Sequence, residues 1–189
     1  PTRLDNVFIQ SPDVVSIAAS SVATNITVEN GGTLQWTSSN DLIIENGGKL
    51  EVEATGTLDR NGQSGANILV DDVWSEVEIV NEGSFSISSL QLENFQGEVN
   101  LSGSGDISLT GNIEITGDGD AFDASHLFLN ADVGVNNDLT GNLNISGNMG
   151  VAATASGNLI FINNGTVDQE GSISNVTTDS KFTNAASST

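Results

Sequence analysis

One short phrase limits what this chain can fold into. It alternates apolar and polar residues and closes on glycine corners. Ile26-Thr27-Val28-Glu29-Asn30-Gly31-Gly32-Thr33-Leu34 aligns without gaps, at an offset of 16, with Leu42-Ile43-Ile44-Glu45-Asn46-Gly47-Gly48-Lys49-Leu50. Apolar positions 26, 28, 34 and 36 fall on 42, 44, 50 and 52. Val77, Ile79, Phe85 and Ile87 repeat the shape around Asn81-Glu82-Gly83, and Leu159, Phe161 and Val167 do so around Asn163-Asn164-Gly165. A second phrase links Gly97-Glu98-Val99-Asn100-Leu101-Ser102-Gly103, Gly111-Asn112-Ile113-Glu114-Ile115-Thr116-Gly117 and Gly141-Asn142-Leu143-Asn144-Ile145-Ser146-Gly147. Gly157-Asn158-Leu159 starts another copy, again 16 residues after Gly141.

Period-2 alternation is the pattern of a strand with one buried face. Asn-Gly, Gly-Gly and Asp-Gly pairs supply the backbone freedom that tight corners need. No segment keeps a helical period for three turns, so the chain is expected to be all-β. Short strands at a period of about 16–20 residues point to a β-solenoid, whose coils bury their apolar face only by stacking. Asparagines recurring at the corners would then form amide ladders. The alternative is an antiparallel β-sandwich, in which Asn-Gly marks hairpins. Residues 1–25 read as a first coil or N-terminal cap, 26–176 as the solenoid repeats, and 177–189 as a polar tail or linker anchored only by Phe182. Residues 54–76 interrupt the repeat and read as a loop or widened coil. Trp36, at an inward position of the repeat, reads as a core or edge residue.

Composition narrows the partners. Four Lys and Arg stand against 25 Asp and Glu, a net charge of −21. Nucleic acid and anionic bilayers need cations that are scarcely present. There is no Cys for disulfides or zinc–thiolate sites. Leu, Ile, Val and Phe supply 53 of 189 residues, above the ~20% below which charged chains stay unfolded. No apolar run reaches the ~18 residues of a membrane span, so no membrane insertion is expected. No basic start followed by an apolar stretch marks a signal peptide. The chain reads as part of a longer, processed or exported polypeptide. Its acids, among them Glu29, Glu45, Glu51, Glu53 and Glu114, are expected at corners and outward strand positions, clothing an apolar core.

Pro1-Thr2-Arg3-Leu4-Asp5-Asn6-Val7-Phe8-Ile9, followed by Ile26-Thr27-Val28-Glu29-Asn30-Gly31-Gly32-Thr33-Leu34, resembles a known pattern. It is similar to the β-solenoid modules of large secreted bacterial surface proteins, especially those that Bacteroidetes export by the type IX route. The resemblance covers about the first 60 residues, and its motif is structural. It implies export, a right-handed parallel β-helix, and adhesion or carbohydrate contact. It designates no catalytic residue.

Two stretches carry candidate chemistry. Gly117-Asp118-Gly119-Asp120-Ala121-Phe122-Asp123 places three carboxylates, Asp118, Asp120 and Asp123, in one glycine-broken loop. Calcium takes several oxygen ligands from such loops, although the spacing is neither that of an EF-hand nor that of a calcium-binding nonapeptide. A solvated acidic turn is the bland reading. Asp71 and Asp72 lie close to Trp74 and Glu76. A tryptophan ring stacking on a sugar, with Asp71 and Glu76 taking hydroxyl hydrogen bonds, would bind a glycan. A glycosidase would need two facing carboxylates ~5–10 Å apart. Here too the bland reading is a loop whose tryptophan covers the core. His126, lone and between apolar neighbours, completes no familiar nucleophilic or transition-metal site.

The sequence points first to a non-catalytic, extracellular or cell-surface solenoid segment acting as rigid stalk or adhesive display surface. Its partners would be the rest of a larger polypeptide, surface glycans and secretion machinery. The alternatives are a carbohydrate-binding or neutral-glycan-hydrolysing module and passive cargo of a secretion system. Acidic glycans are poor substrates for so acidic a chain. Calcium is the single cofactor candidate.

Overall fold

A computed structural model of the chain describes residues 6–110, 112–115, 132–139, 142–145, 149–151, 158–163, 165–169, 173–174 and 181–184. Within them every helix or strand is a strand, as the alternation predicts. In chain order they are β1 (Asn6–Ile9), β2 (Val14–Ile17), β3 (Ser21–Val28), β4 (Thr33–Trp36), β5 (Asn40–Val52), β6 (Thr57–Asp59), β7 (Ala66–Asn81), β8 (Ser84–Ile87) and β9 (Leu90–Gly103). There follow β10 (Ile107–Leu109), β11 (Ile113–Ile115), β12 (Asp132–Leu139), β13 (Asn142–Ile145), β14 (Met149–Val151), β15 (Asn158–Asn163), β16 (Thr166–Gln169), β17 (Ile173–Ser174) and β18 (Lys181–Asn184).

The chain moves between two sheets. The larger runs β1-β3-β5-β7-β9-β11-β14-β17, with β12, β15 and β18 joined through β9. The smaller runs β2-β4-β6-β8-β10-β13-β16. Among the described residues every pairing is parallel, and no strand pairs with its immediate successor. The antiparallel alternative therefore fails for these strands. A two-residue hairpin turn of type I′ needs positive φ at both central residues. At Asn30-Gly31-Gly32 only Gly31 has it, at φ 78°. Gly32 is required for a different reason, since a Cβ there would lie 2.2 Å from the Ile9 carbonyl oxygen of the level beneath. The corner turns the chain into the other sheet and lets two levels touch through backbone.

The 16–20-residue coil also needs correction. Asn6 pairs with Asn25, an offset of 19, but Asn25 pairs with Lys49, Lys49 with Glu78, Glu78 with Asn100 and Asn100 with Asn136. The passes after the first are thus 24, 29, 22 and 36 residues long at this position. The offset of 16 relates strands at different places in a pass. Ile26 lies in the second half of β3 and Leu42 in the first half of β5, while Asn142 and Asn158 belong to different sheets. Any strand with one buried face acquires the same phrase, wherever in the pass it lies.

Register stacks the inward positions into columns. Val15, Leu34, Leu58, Phe85, Ile107, Leu143 and Val167 form one in the smaller sheet. Ile26, Leu50, Ile79 and Leu101 form another in the larger, and all four are buried. Each such side chain contributes about 1.5–3 kcal/mol by leaving water. Trp36 is fully buried in the core, and its Nε1–H donates to the Asn40 carbonyl at 2.8 Å.

The second column then changes chemistry. After Leu101 come Asn137, Asn163 and Asn184. Asn137 and Asn163 are buried. Asn137 Nδ2 donates to Asn163 Oδ1 at 2.8 Å, and the two Oδ1 atoms accept from the Leu139 and Gly165 amides. A buried amide persists only where such partners exist. Outside the core, Asn25 Nδ2 donates to Asn6 Oδ1 at 2.7 Å. Amide stacking between levels thus occurs on both sides of the sheet. At the two ends of the chain, β1 and β2 already share the parallel register, and β18 pairs with β15, bringing Phe182 against Phe161 with ring centroids 6.3 Å apart.

Two substitutions test these contacts. Gly32→Ala is expected to cost about 1–3 kcal/mol, because the methyl group meets backbone rather than a yielding side chain. Asn81 is buried; its Nδ2 donates to the Asp106 carbonyl at 2.8 Å and its Oδ1 accepts from the Gly83 amide at 3.1 Å. Asn81→Ala strands both groups and should cost about 1–3 kcal/mol. Urea midpoints read both losses, and unchanged midpoints would mean that the corners relax freely.

Candidate functional site

The long strands of the larger sheet do not pair evenly along their length. Register shifts fall between Ala23 and Asn25 in β3, between Ile44 and Lys49 in β5, and between Asp71 and Glu76 in β7. Extra residues in one of two paired strands must leave the ladder and bend it. These breaks fall at corresponding places in successive passes, so they make one corner of the molecule. The sequence candidates Asp71, Trp74 and Glu76 lie at that corner. Asp71 and Glu76 frame the break, and Trp74 occupies the backbone between them. The side chains of residues 72–75 and 93–98, Asp72, Trp74, Glu93 and Glu98 among them, lie outside the described residues. Residues 66–81, expected within a loop or widened coil up to 76, are strand.

Asp71 is half-buried and Glu76 exposed. Glu76 Oε1 accepts a hydrogen bond from Asn100 Nδ2. Across the ladder, Asp71 pairs with Glu93 and Glu76 with Glu98. Adjacent strands lie about 4.8 Å apart, so acidic positions from two levels stand side by side around the position of Trp74. Glu93 and Glu98 were not among the sequence candidates. Their signal is the likeness of Glu76-Val77-Glu78-Ile79 to Glu98-Val99-Asn100-Leu101 at an offset of 22, hidden by the more conspicuous 16. Glu45, one level below at the same corner, is buried at 8% exposure, which departs from the expected outward placing of the acids.

Cations near this face are few. Lys49 holds Glu51 at 3.2 Å, a solvent-exposed pair of the kind worth at most ~1 kcal/mol, and it pairs across the ladder with Glu78. The corner therefore offers hydrogen-bond acceptors, carboxylate and amide oxygens, suited to hydroxyl donors. Asp118, Asp120, Asp123 and His126 lie outside the described residues. Among the described residues no group of three or more His, Cys, Asp or Glu side chains is placed to hold a metal. Among them, too, no helix is long and apolar enough to cross a membrane.

Like charges paired directly across a ladder destabilise it. Glu76→Gln keeps an oxygen for Asn100 and removes one of two charges in register. It should raise stability by up to ~1 kcal/mol at low salt, and the gain should shrink in high salt as screening replaces it. Thermal melts at two ionic strengths measure this. A loss of stability would instead mean that the Glu76 charge is engaged at this corner.

No family model, no curated protein and no solved structure matches the chain.

Proposed function

We propose that the chain is a right-handed β-solenoid serving as a rigid, non-catalytic stalk or display surface within a larger exported bacterial surface protein. The observation that carries this reading is the unbroken parallel register of the smaller sheet, from β2 through β16. Seven strands leave six spacings of about 4.8 Å, or about 29 Å of continuous stack. Right-handedness follows from the preference of crossovers between parallel strands of one sheet. A core made of columns resists bending, because each level is fixed to its neighbours by both hydrogen bonds and side chains. Weak contacts repeated along such a rod would sum by avidity. The export assignment draws on the resemblance of residues 1–9 and 26–34 to surface-protein modules.

A second reading has one observation in its favour. Asp71 and Glu76 flank the Trp74 position at the corner where Glu93 and Glu98 join them. A neutral glycan would find acceptors there for its hydroxyl groups.

The two readings separate experimentally. Thr33 pairs with Thr57 and Leu34 with Leu58, so residues 33–56 span one full pass. Two further tandem copies of 33–56 should lengthen the particle by about 10 Å without lowering its melting temperature, as followed by small-angle scattering and calorimetry. Unfolding of the lengthened chain would contradict the rod. Retention of a neutral glycan on an array, lost in Asp71→Asn, would move the function to the second reading.

A further inference from the structure

Asparagine is followed by glycine at Asn30-Gly31, Asn46-Gly47, Asn61-Gly62 and Asn164-Gly165. The pair has a chemistry of its own, because a glycine amide, with no side chain beside it, can approach the preceding side-chain carbonyl carbon. Asn164 and the Asn46 side chain lie outside the described residues. In the other two pairs Asn30, Gly31, Asn61 and Gly62 are all exposed, so access to water does not distinguish them. Their contacts do. Asn30 is clamped by the next level: its Nδ2 donates to Glu53 Oε2 at 2.6 Å, and its Oδ1 accepts from the Thr55 amide at 3.0 Å and the Thr55 hydroxyl at 3.1 Å. The Gly31 amide is engaged as well, donating to the Thr55 carbonyl at 3.2 Å.

Asn61 and Gly62 turn the chain between β6 and β7. φ is 50° at Asn61 and 74° at Gly62, and the Gln63 amide donates to the Arg60 carbonyl at 2.9 Å. Positive φ at both central residues is the type I′ pattern that Asn-Gly favours, although β6 and β7 lie in different sheets. Among the described residues the Asn61 side chain has one tether, from Nδ2 to the Trp36 carbonyl at 3.1 Å. That bond carries the β4–β6 contact past Gln35 and Asp59, where their pairing ends. Among the same residues nothing accepts from the Gly62 amide. A Cβ added at Gly62 would meet nothing within 4 Å, so the turn has room to rotate.

We propose that Asn61 is a site of spontaneous deamidation, left reactive by the fold where Asn30 is protected. The Gly62 nitrogen gives its proton to hydroxide and bonds to Asn61 Cγ. The Cγ–Nδ2 bond breaks, and Nδ2 takes a proton from water and leaves as ammonia, which regenerates the hydroxide. Water then opens the five-membered imide at one of its two carbonyl carbons. Opening at Cγ leaves aspartate at position 61. Opening at the main-chain carbonyl leaves isoaspartate, with the backbone running through Cβ and Cγ. Either product has lost the donor to the Trp36 carbonyl and adds a negative charge beside Asp59, so a tie between two levels is cut. The inference rests on these contacts and is independent of the stalk reading.

The 189-residue chain, held in warm, mildly alkaline buffer, should convert at Asn61 at least about tenfold faster than at Asn30, which must first give up its additional hydrogen bonds. Peptide mapping by mass spectrometry locates each conversion, and electron-transfer fragmentation identifies isoaspartate. In concentrated urea, where only the local sequence acts, the two rates should converge. Asn61→Gln, whose longer side chain would have to close a larger ring, should abolish conversion at position 61 and leave the rate at Asn30 unchanged. Equal rates at Asn30 and Asn61 in the folded chain would overturn the proposal. So would an Asn61 that converts in urea but not in the folded chain.

Discussion

Among the described residues, no strand of this protein pairs with its immediate successor. A strand must wait until the chain has passed through the other sheet and come back, 19 residues later at the first level and 36 at a later one. That delayed parallel pairing is the constraint on which the rest depends. A single pass exposes its apolar face on both open edges, so burial comes only from the levels above and below. Each added level converts two exposed edges into one ladder and extends every side-chain column by one member. Contacts so far apart in sequence make closure costly in chain entropy, and the return comes from columns such as Leu34–Leu58–Phe85.

Polar groups follow the same logic. Where a column carries asparagine instead of leucine, the amide survives burial because the next level supplies another amide in register, as Asn163 does for Asn137. Acidic positions also stack in register, as at Glu76 and Glu98, and there Glu76 takes its hydrogen bond from the Asn100 amide instead. The acids there gather at the bend, where extra residues have already loosened the ladder. The net charge of −21 is thus unevenly spread. It is dense around the Asp71–Glu76 corner and sparse in residues 6–28, where Asp13 is the single charged residue.

Much of the fold was legible. Period-2 alternation predicted strands, and the corners at Asn30-Gly31-Gly32 and Asn81-Glu82-Gly83 lie where one strand gives way to the next, whereas Asn46-Gly47-Gly48 falls within β5. Trp36 is core because its position in the phrase is inward. The length of a pass was not legible, because Ile26 and Leu42 obey the same local rule while lying at different places in the pass. Parallel pairing with the preceding level was visible only in weaker likenesses, such as Glu76-Val77-Glu78-Ile79 to Glu98-Val99-Asn100-Leu101. At the candidate site, sequence proximity identified Asp71, Trp74 and Glu76, which do share one corner. It could not supply Glu93 and Glu98, because which acids meet is decided by register, and register is a property of the stack.

One level per pass, in parallel register, is the central claim, and the absence of cysteine makes it directly measurable. Phe8, Thr27, Glu51, Val80 and Ser102 occupy one register position on five successive levels. Spin labels at Phe8→Cys and Ser102→Cys should therefore lie four strand spacings apart, about 19 Å between backbones, and pulsed electron–electron resonance should return a single narrow distance consistent with that separation. A broad distribution, or a distance that does not correspond to four spacings, would contradict the stack.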